Sequence, residues 1–115
     1  MSKNVVLLTD EVIGTTPETK LGKKLLTAFL YSMCNVDDDQ LPSHIILYTE
    51  AAKLATKEDQ NADHLKELIS KGVDVVICGA CADYFELNSD IKFGRISNML
   101  DIVEIMNNSA KVIRP

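Results

Sequence analysis

One stretch of sequence decides the fold class, Val73-Asp74-Val75-Val76-Ile77-Cys78-Gly79-Ala80-Cys81. Its first six residues are rich in β-branched side chains and almost continuously apolar, as in a strand that is covered on both faces. A helical turn is predicted to follow at once, through Asp83-Tyr84-Phe85. The stretch therefore predicts a buried strand that leads directly into a helix, the unit from which parallel α/β sheets are built.

Further strands and helices are predicted on both sides of this stretch. The other four strands are short apolar runs at residues 4–9, 44–48, 91–96 and 111–114. Between the strands, residues 50–55 predict a short helix, and residues 61–71 predict a longer one that ends at Gly72, which can adopt the left-handed conformation.

The segment between the first two strands predicts a long helix. Thr16 offers a hydroxyl for the N-cap, Pro17 suits the first helical position, and the charge of Glu18 is favourable in the first turn. Apolar residues then recur at helical spacing, which indicates the face that packs on the sheet. This predicted stripe comprises Leu21, Leu25, Ala28 and Phe29, and it is widened by Leu26, Leu30 and Met33.

The last helix is predicted to begin at Ser97, whose hydroxyl can cap it. Its apolar residues lie on nearly every side of the helix: Met99, Leu100, Ile102, Val103, Ile105 and Met106. One sheet face cannot cover all of them, so we expect a homo-oligomer. The alternative is a helix that is sunk between the sheet and its neighbours.

Strands that alternate with helices, and that are apolar on both faces, predict an α/β fold with a parallel sheet and helices on each side. The 115 residues fit a single domain over residues 1–115 and can bury three layers without a disulfide or a metal. The charge balance of 12 basic and 17 acidic residues gives −5, which repels phosphate backbones, so nucleic acid is not an expected partner.

No apolar run approaches the roughly 20 residues that a bilayer span requires, and the N-terminus has no signal-peptide layout. These features predict a cytoplasmic protein with no membrane partner.

The three cysteines are an odd number, and two of them lie three positions apart, which is a poor disulfide framework. They therefore indicate reduced thiols.

In a parallel sheet the loops that leave the strand C-termini gather at one edge, where ligands bind. The predicted topology places a set of polar and reactive residues there: Asp10, Glu11, Thr15, Thr49, Glu50, Cys78, Cys81 and Tyr84. Cys34 ends the first helix and His44 begins the second strand, so both are predicted at the opposite edge. The paired cysteines are thereby separated from the third.

The Cys78-Gly79-Ala80-Cys81 segment carries the chemistry of this sequence. Cys81 is predicted near a helix N-terminus, where the dipole lowers the thiol pKa and favours a nucleophilic thiolate, although Asp83 opposes ionisation. Cys78 ends a buried strand, and it is either a partner thiol that forms a reversible disulfide or an inert core thiol. The small residues Gly79 and Ala80 would let a partner's backbone approach Cys81.

Other kinds of site find less support. A structural zinc ion needs about four ligands, but only one cysteine pair exists, His44 is predicted at the far edge and His64 lies inside a helix, so no metal is expected. The same separation leaves a cysteine hydrolase without a histidine base. The turn after the first strand has neither the glycine spacing of a dinucleotide loop nor the lysine of a phosphate-binding loop, so no cofactor is expected.

Five segments of the chain resemble one known family. They are Leu21-Gly22-Lys23-Lys24-Leu25-Leu26, Ile45-Ile46-Leu47-Tyr48, Cys78-Gly79-Ala80-Cys81-Ala82-Asp83-Tyr84-Phe85, Gly94-Arg95-Ile96-Ser97-Asn98-Met99 and Lys111-Val112-Ile113-Arg114-Pro115. These segments are similar to the C-terminal domain of YedF-type selenium-metabolism proteins, within the wider DsrE-like sulfur-relay family. The resemblance covers nearly the whole chain.

The resemblance implies a three-layer α/β/α sandwich with a five-stranded parallel sheet, with flavodoxin-like layering, and it also implies homo-oligomers. Relay members of the family pass persulfide sulfur between protein cysteines, and the family's paired cysteines fall on Cys78 and Cys81. The implied function is a sulfurtransferase-like carrier that holds sulfur or selenium as a persulfide on Cys81. A TusA-like sulfur carrier, or another persulfide donor or acceptor, is the implied partner.

Two alternatives stay open beside the relay. One is a non-catalytic oligomeric binding module whose cysteines are structural. The other is a protein that binds a small ligand at the C-terminal edge of the strands.

Overall fold

Five short strands form the centre of the computed structural model, which describes residues 3–115. They are β1 (Val5–Leu8), β2 (His44–Leu47), β3 (Asp74–Cys78), β4 (Arg95–Ser97) and β5 (Val112–Ile113). The order across the sheet is β4-β3-β2-β1-β5, and every neighbouring pair is parallel. The predicted five-stranded parallel sheet is therefore confirmed.

Four α-helices and two 3₁₀ segments connect the strands. The helices are α1 (Thr19–Cys34), α2 (Gln60–Ser70), α3 (Gly79–Tyr84) and α4 (Met99–Asn107), and the 3₁₀ segments are Asp38–Gln40 and Thr49–Thr56. Among residues 3–115, no helix combines the length and apolar character that a membrane crossing requires. Gly72 follows α2 with a φ of +95°, as predicted for the residue that ends this helix.

The core lies on both faces of the sheet, as three layers require. On one face, Leu26 and Leu30 of α1 pack with Ile45, Val75 and other buried strand residues. On the other face, Ile102 of α4 packs with a separate buried cluster of Val5, Ile46, Val76 and Cys78. Side chains alternate between the faces along each strand, so continuous apolar strands fill both cores.

The start of α1 differs from the prediction. The helix begins at Thr19, and Glu18 takes the cap position without a side-chain cap. The hydroxyl of Thr16 accepts a hydrogen bond from the backbone N–H of Glu18 at 3.1 Å. The three residues that were predicted to begin the helix therefore form a local turn before it.

The buried face of α1 agrees only in part with the predicted stripe, in which Leu26 and Leu30 are buried as expected. Leu21 and Leu25 are 51% and 43% exposed, and Ala28 is exposed as well. Gly22 explains the difference, because a Cβ on this residue would lie 2.8 Å from Cβ of Val12. The loop after β1 presses against this glycine, and one i, i+4 row of the helix is buried: Gly22, Leu26, Leu30 and Cys34.

Strand β4 and helix α4 are also shifted from their predicted positions. Gly94, with a φ of +78°, packs against the carbonyl of Val75, and β4 begins only after it. Ser97 belongs to β4, and the N-cap of α4 is Asn98, whose side chain accepts from the N–H of Asp101 at 2.9 Å. The predicted cap at Ser97 is therefore wrong by one residue.

An ionic network stabilises the side of the sheet that ends with strand β4. Nε of Arg95 donates to both carboxylate oxygens of Asp74 at 3.0 Å, and Nη1 donates to Asp101 at 2.9 Å. The hydroxyl of Ser97 donates to the same Asp101 oxygen at 2.7 Å. The Ser97 hydrogen bond and then Arg95 lower the pKa of the Asp101 carboxyl. The network fastens the short strand β4 to the first turn of α4.

Candidate functional site

The two paired cysteines lie at the C-terminal edge of the sheet. Cys78 is the last residue of β3, and Cys81 lies in the first turn of α3. Thr49 leaves the end of β2 at the same edge and contacts Cys81. Cys34 ends α1 and His44 begins β2, so both lie at the opposite edge. The predicted separation of Cys34 from the pair is confirmed.

The path of the backbone between the two cysteines depends on Gly79. Strand β3 passes into α3 without a loop, and Cys78 is the residue before the first helical one. A Cβ on Gly79 would lie 3.1 Å from the carbonyl oxygen of Ser97 in β4. The absent side chain therefore accommodates the protein's own neighbouring strand, whereas the sequence suggested room for a partner.

A backbone donor points at the sulfur of Cys81. The N–H of Thr49 donates to Cys81 Sγ at 3.1 Å. Thr49 has a φ of +48°, which is uncommon for a β-branched residue, and its hydroxyl donates to the carbonyl of Thr9 at 2.5 Å. This hydroxyl contact holds the residue in the strained conformation that turns its N–H toward the sulfur.

The pKa of the Cys81 thiol is raised above its usual value, opposite to the prediction. Burial is the largest cause, the Thr49 hydrogen bond acts in the lowering direction, and the neighbouring Cys78 thiol raises the pKa. A helix terminus typically contributes only about 0.3–1 kcal/mol to a nearby charge, and α3 is a short helix of six residues. The carboxylate of Asp83 accepts from the Asn88 side chain at 2.7 Å.

Cys78 is almost fully covered, with 3% of its surface exposed, whereas Cys81 is half-buried. Both are free thiols, and Cys78 lies close enough to raise the pKa of the Cys81 thiol. Of the two, Cys81 is therefore the thiol that a second molecule reaches first. Cys78 lies behind it as a second sulfur, in the apolar cluster under α4.

Tyr48 is a neighbour of the pair that the sequence analysis did not single out. It follows β2, and its side chain packs against the same apolar cluster as Cys78 and Cys81. Its hydroxyl donates to Met99 Sδ at 3.3 Å. The sequence does contain a signal for Tyr48, since it is a residue with a hydroxyl directly after a buried strand. Functional groups of parallel sheets gather at this edge.

Charged residues surround the outer part of this edge. Nζ of Lys53 forms an ion pair with Glu50 at 2.6 Å and lies 4.3 Å from the centre of the Phe85 ring. The pKa of Lys53 is raised, mainly by Glu50 and further by Glu11 and Asp10. Glu50, Glu11 and Asp10, which were predicted at this edge, therefore all interact electrostatically with Lys53.

A shallow depression of about 560 Å³ lies over the segment between the cysteines, and it is lined by Gly79, Ala80, Asp83, Ile96, Ser97, Asn98 and Met99. Its walls combine small, apolar and polar residues. Within residues 3–115, no cluster of three or more His, Cys, Asp or Glu side chains has the arrangement of a metal site.

The third thiol is expected to be inert in the folded protein. Burial raises the pKa of Cys34 to about 11, and the neighbouring Glu67 carboxylate adds to this shift. Since its ordinary value is 9.0, the thiolate fraction at pH 8 falls by about a hundredfold. We expect iodoacetamide to modify Cys34 about a hundredfold more slowly in the native protein than in urea, as followed by peptide mass mapping. Equal rates would contradict its burial.

Comparison with known proteins supports the same fold. A model of the DsrE/DsrF-like family matches residues 3–115. The crystal structure of the YchN protein from E. coli superposes with a TM-score of 0.69 over 100% of both chains, at 18% identity. A conserved protein of unknown function from Bacteroides thetaiotaomicron, BT1422, superposes with a TM-score of 0.66 over 98% of this chain and 95% of its own, at 19% identity. No curated protein sequence matches the chain significantly.

Proposed function

The chain belongs to the DsrE/DsrF-like family, and from this premise we propose that it relays sulfur by carrying a persulfide on Cys81, with Cys78 as the partner thiol. Membership of the family suggests a function of the sulfur-relay type. The role of the two cysteines is our own assignment, and it rests on their position at the ligand-binding edge of the sheet.

One observation carries the proposal: the N–H of Thr49 donates to Cys81 Sγ at 3.1 Å. A backbone donor has a fixed position and is already aimed at the sulfur before any reaction. Hydrogen bonds to anionic acceptors are stronger than hydrogen bonds to neutral ones. The contact therefore stabilises the thiolate of Cys81 more than its thiol, and it does so where a partner can reach the sulfur.

Loading is a thiol exchange reaction in which atoms and electrons balance. The Cys81 thiolate attacks the outer sulfur of a donor persulfide, R–S–SH, and forms a new S–S bond. The S–S bond of the donor breaks, and the electron pair leaves with R–S⁻. An acceptor thiolate then attacks the outer sulfur on Cys81, which regenerates the Cys81 thiolate and leaves the acceptor as a persulfide.

Cys78 can also react with the persulfide on Cys81. Its thiolate attacks Sγ of Cys81, the outer sulfur leaves as HS⁻, and a Cys78–Cys81 disulfide remains until a dithiol reductant reopens it. The proximity of the two thiols supports this role, since Cys78 raises the pKa of Cys81. The proposal includes a reducing compartment such as the cytoplasm, because relay needs both thiols free.

The raised pKa of Cys81 has a consequence for the rate of loading. The thiolate is the nucleophile, so loading should accelerate as the pH rises from 7 toward the pKa of this thiol.

The partner that we propose is a TusA-like carrier. It would bring its persulfide to the exposed side of Cys81, and it would serve in both directions of transfer.

The experiment that tests the proposal uses a small-molecule persulfide as the donor. The protein is incubated with glutathione persulfide, and added sulfur is counted by intact mass and mapped to a peptide. We expect one added sulfur, on the peptide that contains Cys81, and release to a thiol acceptor. The Cys34→Ser variant is the matched control and should load equally. Wild-type protein that takes up no sulfur would refute the relay.

We also propose that the chain self-associates through the outer face of α4. Ile102 is the fully buried residue of this helix, while Leu100, Met99 and Val103 are 69%, 50% and 39% exposed. Three large apolar side chains on one short helix are an unusual surface for a monomer. Their exposure supports the homo-oligomer that the sequence led us to expect.

A charge on this face should dissociate the oligomer. We expect Leu100→Glu to give the mass of a single chain by light scattering at micromolar concentration, because each buried leucine contributes about 1.5–3 kcal/mol and a buried charge opposes contact. Leu21→Glu is the matched control, since Leu21 is 51% exposed on α1. A wild-type protein with the mass of a single chain would contradict the proposal.

A second function is favoured by two of the same observations. The raised pKa of Cys81 and the burial of Cys78 are also typical of structural cysteines. With the apolar face of α4, they fit a non-catalytic oligomeric binding module. Slow alkylation of Cys81 at neutral pH, together with no sulfur uptake, is the result that would favour this module over the relay.

A further inference from the structure

Tyr48 occupies the position beside Cys78 at the end of the sheet. The register of β2 and β3 pairs Leu47 with Ile77, and Tyr48 and Cys78 are the next residues of the two strands. Side chains at matching positions of neighbouring parallel strands lie on the same face. Tyr48, Cys78 and Cys81 accordingly pack against one apolar cluster, which α4 covers through Ile102.

The tyrosine side chain reaches across the strand that carries Cys78. Its hydroxyl lies 3.3 Å from Met99 Sδ, and Met99 begins α4 directly after β4. Strand β3 lies between β2 and β4 in the sheet. The phenol therefore extends from one neighbour of β3 to the other, over the end of the strand where the two thiols are found.

The partner that the hydroxyl has in this structure is a weak one. A thioether sulfur is a poor hydrogen-bond acceptor, whereas an anionic sulfur accepts a charge-assisted hydrogen bond. Met99 is not part of the apolar cluster that Tyr48 packs against, so the packing of that cluster does not depend on this contact. A donor that is engaged only with a thioether beside two thiols is available for a better acceptor.

We propose that Tyr48 is the second hydrogen-bond donor of this site, and that its hydroxyl moves from Met99 to the anionic sulfur, thiolate or persulfide, that Cys81 carries. The proposal rests on the proposed function for the persulfide and deepens it. Thr49 supplies the fixed N–H to Sγ of Cys81, and Tyr48 supplies a mobile O–H. No proton is transferred, because the phenol donates a hydrogen bond and keeps its proton.

The protonation state of Tyr48 agrees with this role. Burial raises the pKa of the phenol, and Cys78 and then Cys81 raise it further. The hydroxyl therefore remains a donor throughout the neutral range. The other titratable or charged side chains on the elements packed around the pair are His44 on β2, Glu50 and Lys53 after β2, Asp74 on β3, Asp83 and Tyr84 on α3, Arg95 on β4, and Asp101 and Glu104 on α4.

The test compares Tyr48→Phe with wild type in two measurements. The first is the pH profile of Cys81 alkylation in protein without added sulfur. The second is the lifetime of the persulfide after loading with glutathione persulfide. Loss of a hydrogen bond to an anion is expected to lower the thiolate fraction at a given pH about tenfold and to shorten the persulfide lifetime by a similar factor.

Two further variants separate this role from a disturbed fold. Tyr31→Phe, in a tyrosine that is 58% exposed on α1, should leave both measurements unchanged. Met99→Leu removes the resting acceptor, so it should shift the pH profile in the direction opposite to Tyr48→Phe. Local damage to packing would instead shift both variants the same way.

The outcomes distinguish the two proposals. If wild type takes up no sulfur, the relay fails, and the alkylation profile alone decides whether Tyr48 is a donor to the thiolate. If wild type loads sulfur but Tyr48→Phe changes neither the profile nor the lifetime, the relay stands and the role of Tyr48 is overturned.

Discussion

Replacing Cys81 with serine is expected to abolish sulfur loading, whereas replacing either of the other cysteines is not. Cys81 is the half-buried thiol of the pair and accepts the N–H of Thr49. A serine hydroxyl at this position cannot form the S–S bond that loading requires. With a radiolabelled persulfide donor, label per chain should fall from about one to background in Cys81→Ser.

The other two variants report on the division of roles. In Cys78→Ser the loaded persulfide should live longer, because the thiol that releases HS⁻ is absent. Cys34→Ser should behave as wild type, since Cys34 lies at the opposite edge and its pKa is raised to about 11. Equal label in all four proteins would remove the assignment of the carrier to Cys81.

A pair of adjacent leucines should show the largest difference in stability. Leu26→Ala is expected to lower the free energy of unfolding by about 2–5 kcal/mol, because Leu26 is fully buried and its removal leaves a cavity. Leu25→Ala should cost less than about 1 kcal/mol, since Leu25 is 43% exposed. Urea denaturation followed by circular dichroism measures both values.

These two variants remove the same atoms from neighbouring positions of α1, so helix propensity cancels between them. The difference between the two unfolding free energies therefore reports which side of α1 packs on the sheet. Similar losses of stability for Leu25 and Leu26 would mean that the helix is rotated so that Leu25 is buried as well.

Strands β1, β2 and β3 were predictable because both of their faces are buried. A strand that is covered on each side is almost continuously apolar, and β3 carries this signal over five residues that end at Cys78. The alternation with helices then determined the parallel sheet and its C-terminal edge. The placement of Cys78 and Cys81 apart from Cys34 followed from topology alone.

The facing of α1 was not predictable from its own residues. Leucines occur on more than one side of this helix, and periodicity cannot choose between them. The choice depends on a distant contact, because Val12 lies against the bare backbone of Gly22. A glycine in a helical pattern marks such a close approach, but the sequence does not show which segment approaches.

The environment of Cys81 was likewise predictable only in part. The helix after Cys78 was predicted, and with it the dipole effect on the thiol. Burial outweighs that effect and raises the pKa, and burial depends on how α3 packs against the segment after β2. The donor from Thr49 is a backbone N–H at a φ of +48°, so no side-chain pattern in the sequence identifies it.

The most direct test of the sulfur-carrier assignment is the mass of the protein isolated from its native cells under conditions that preserve persulfides. We expect an adduct of about 32 Da for sulfur, or about 80 Da for selenium, on the peptide that contains Cys78 and Cys81, and its loss on treatment with a dithiol reductant. An unmodified peptide in every preparation, or an adduct on Cys34 alone, would contradict a persulfide carrier at Cys81.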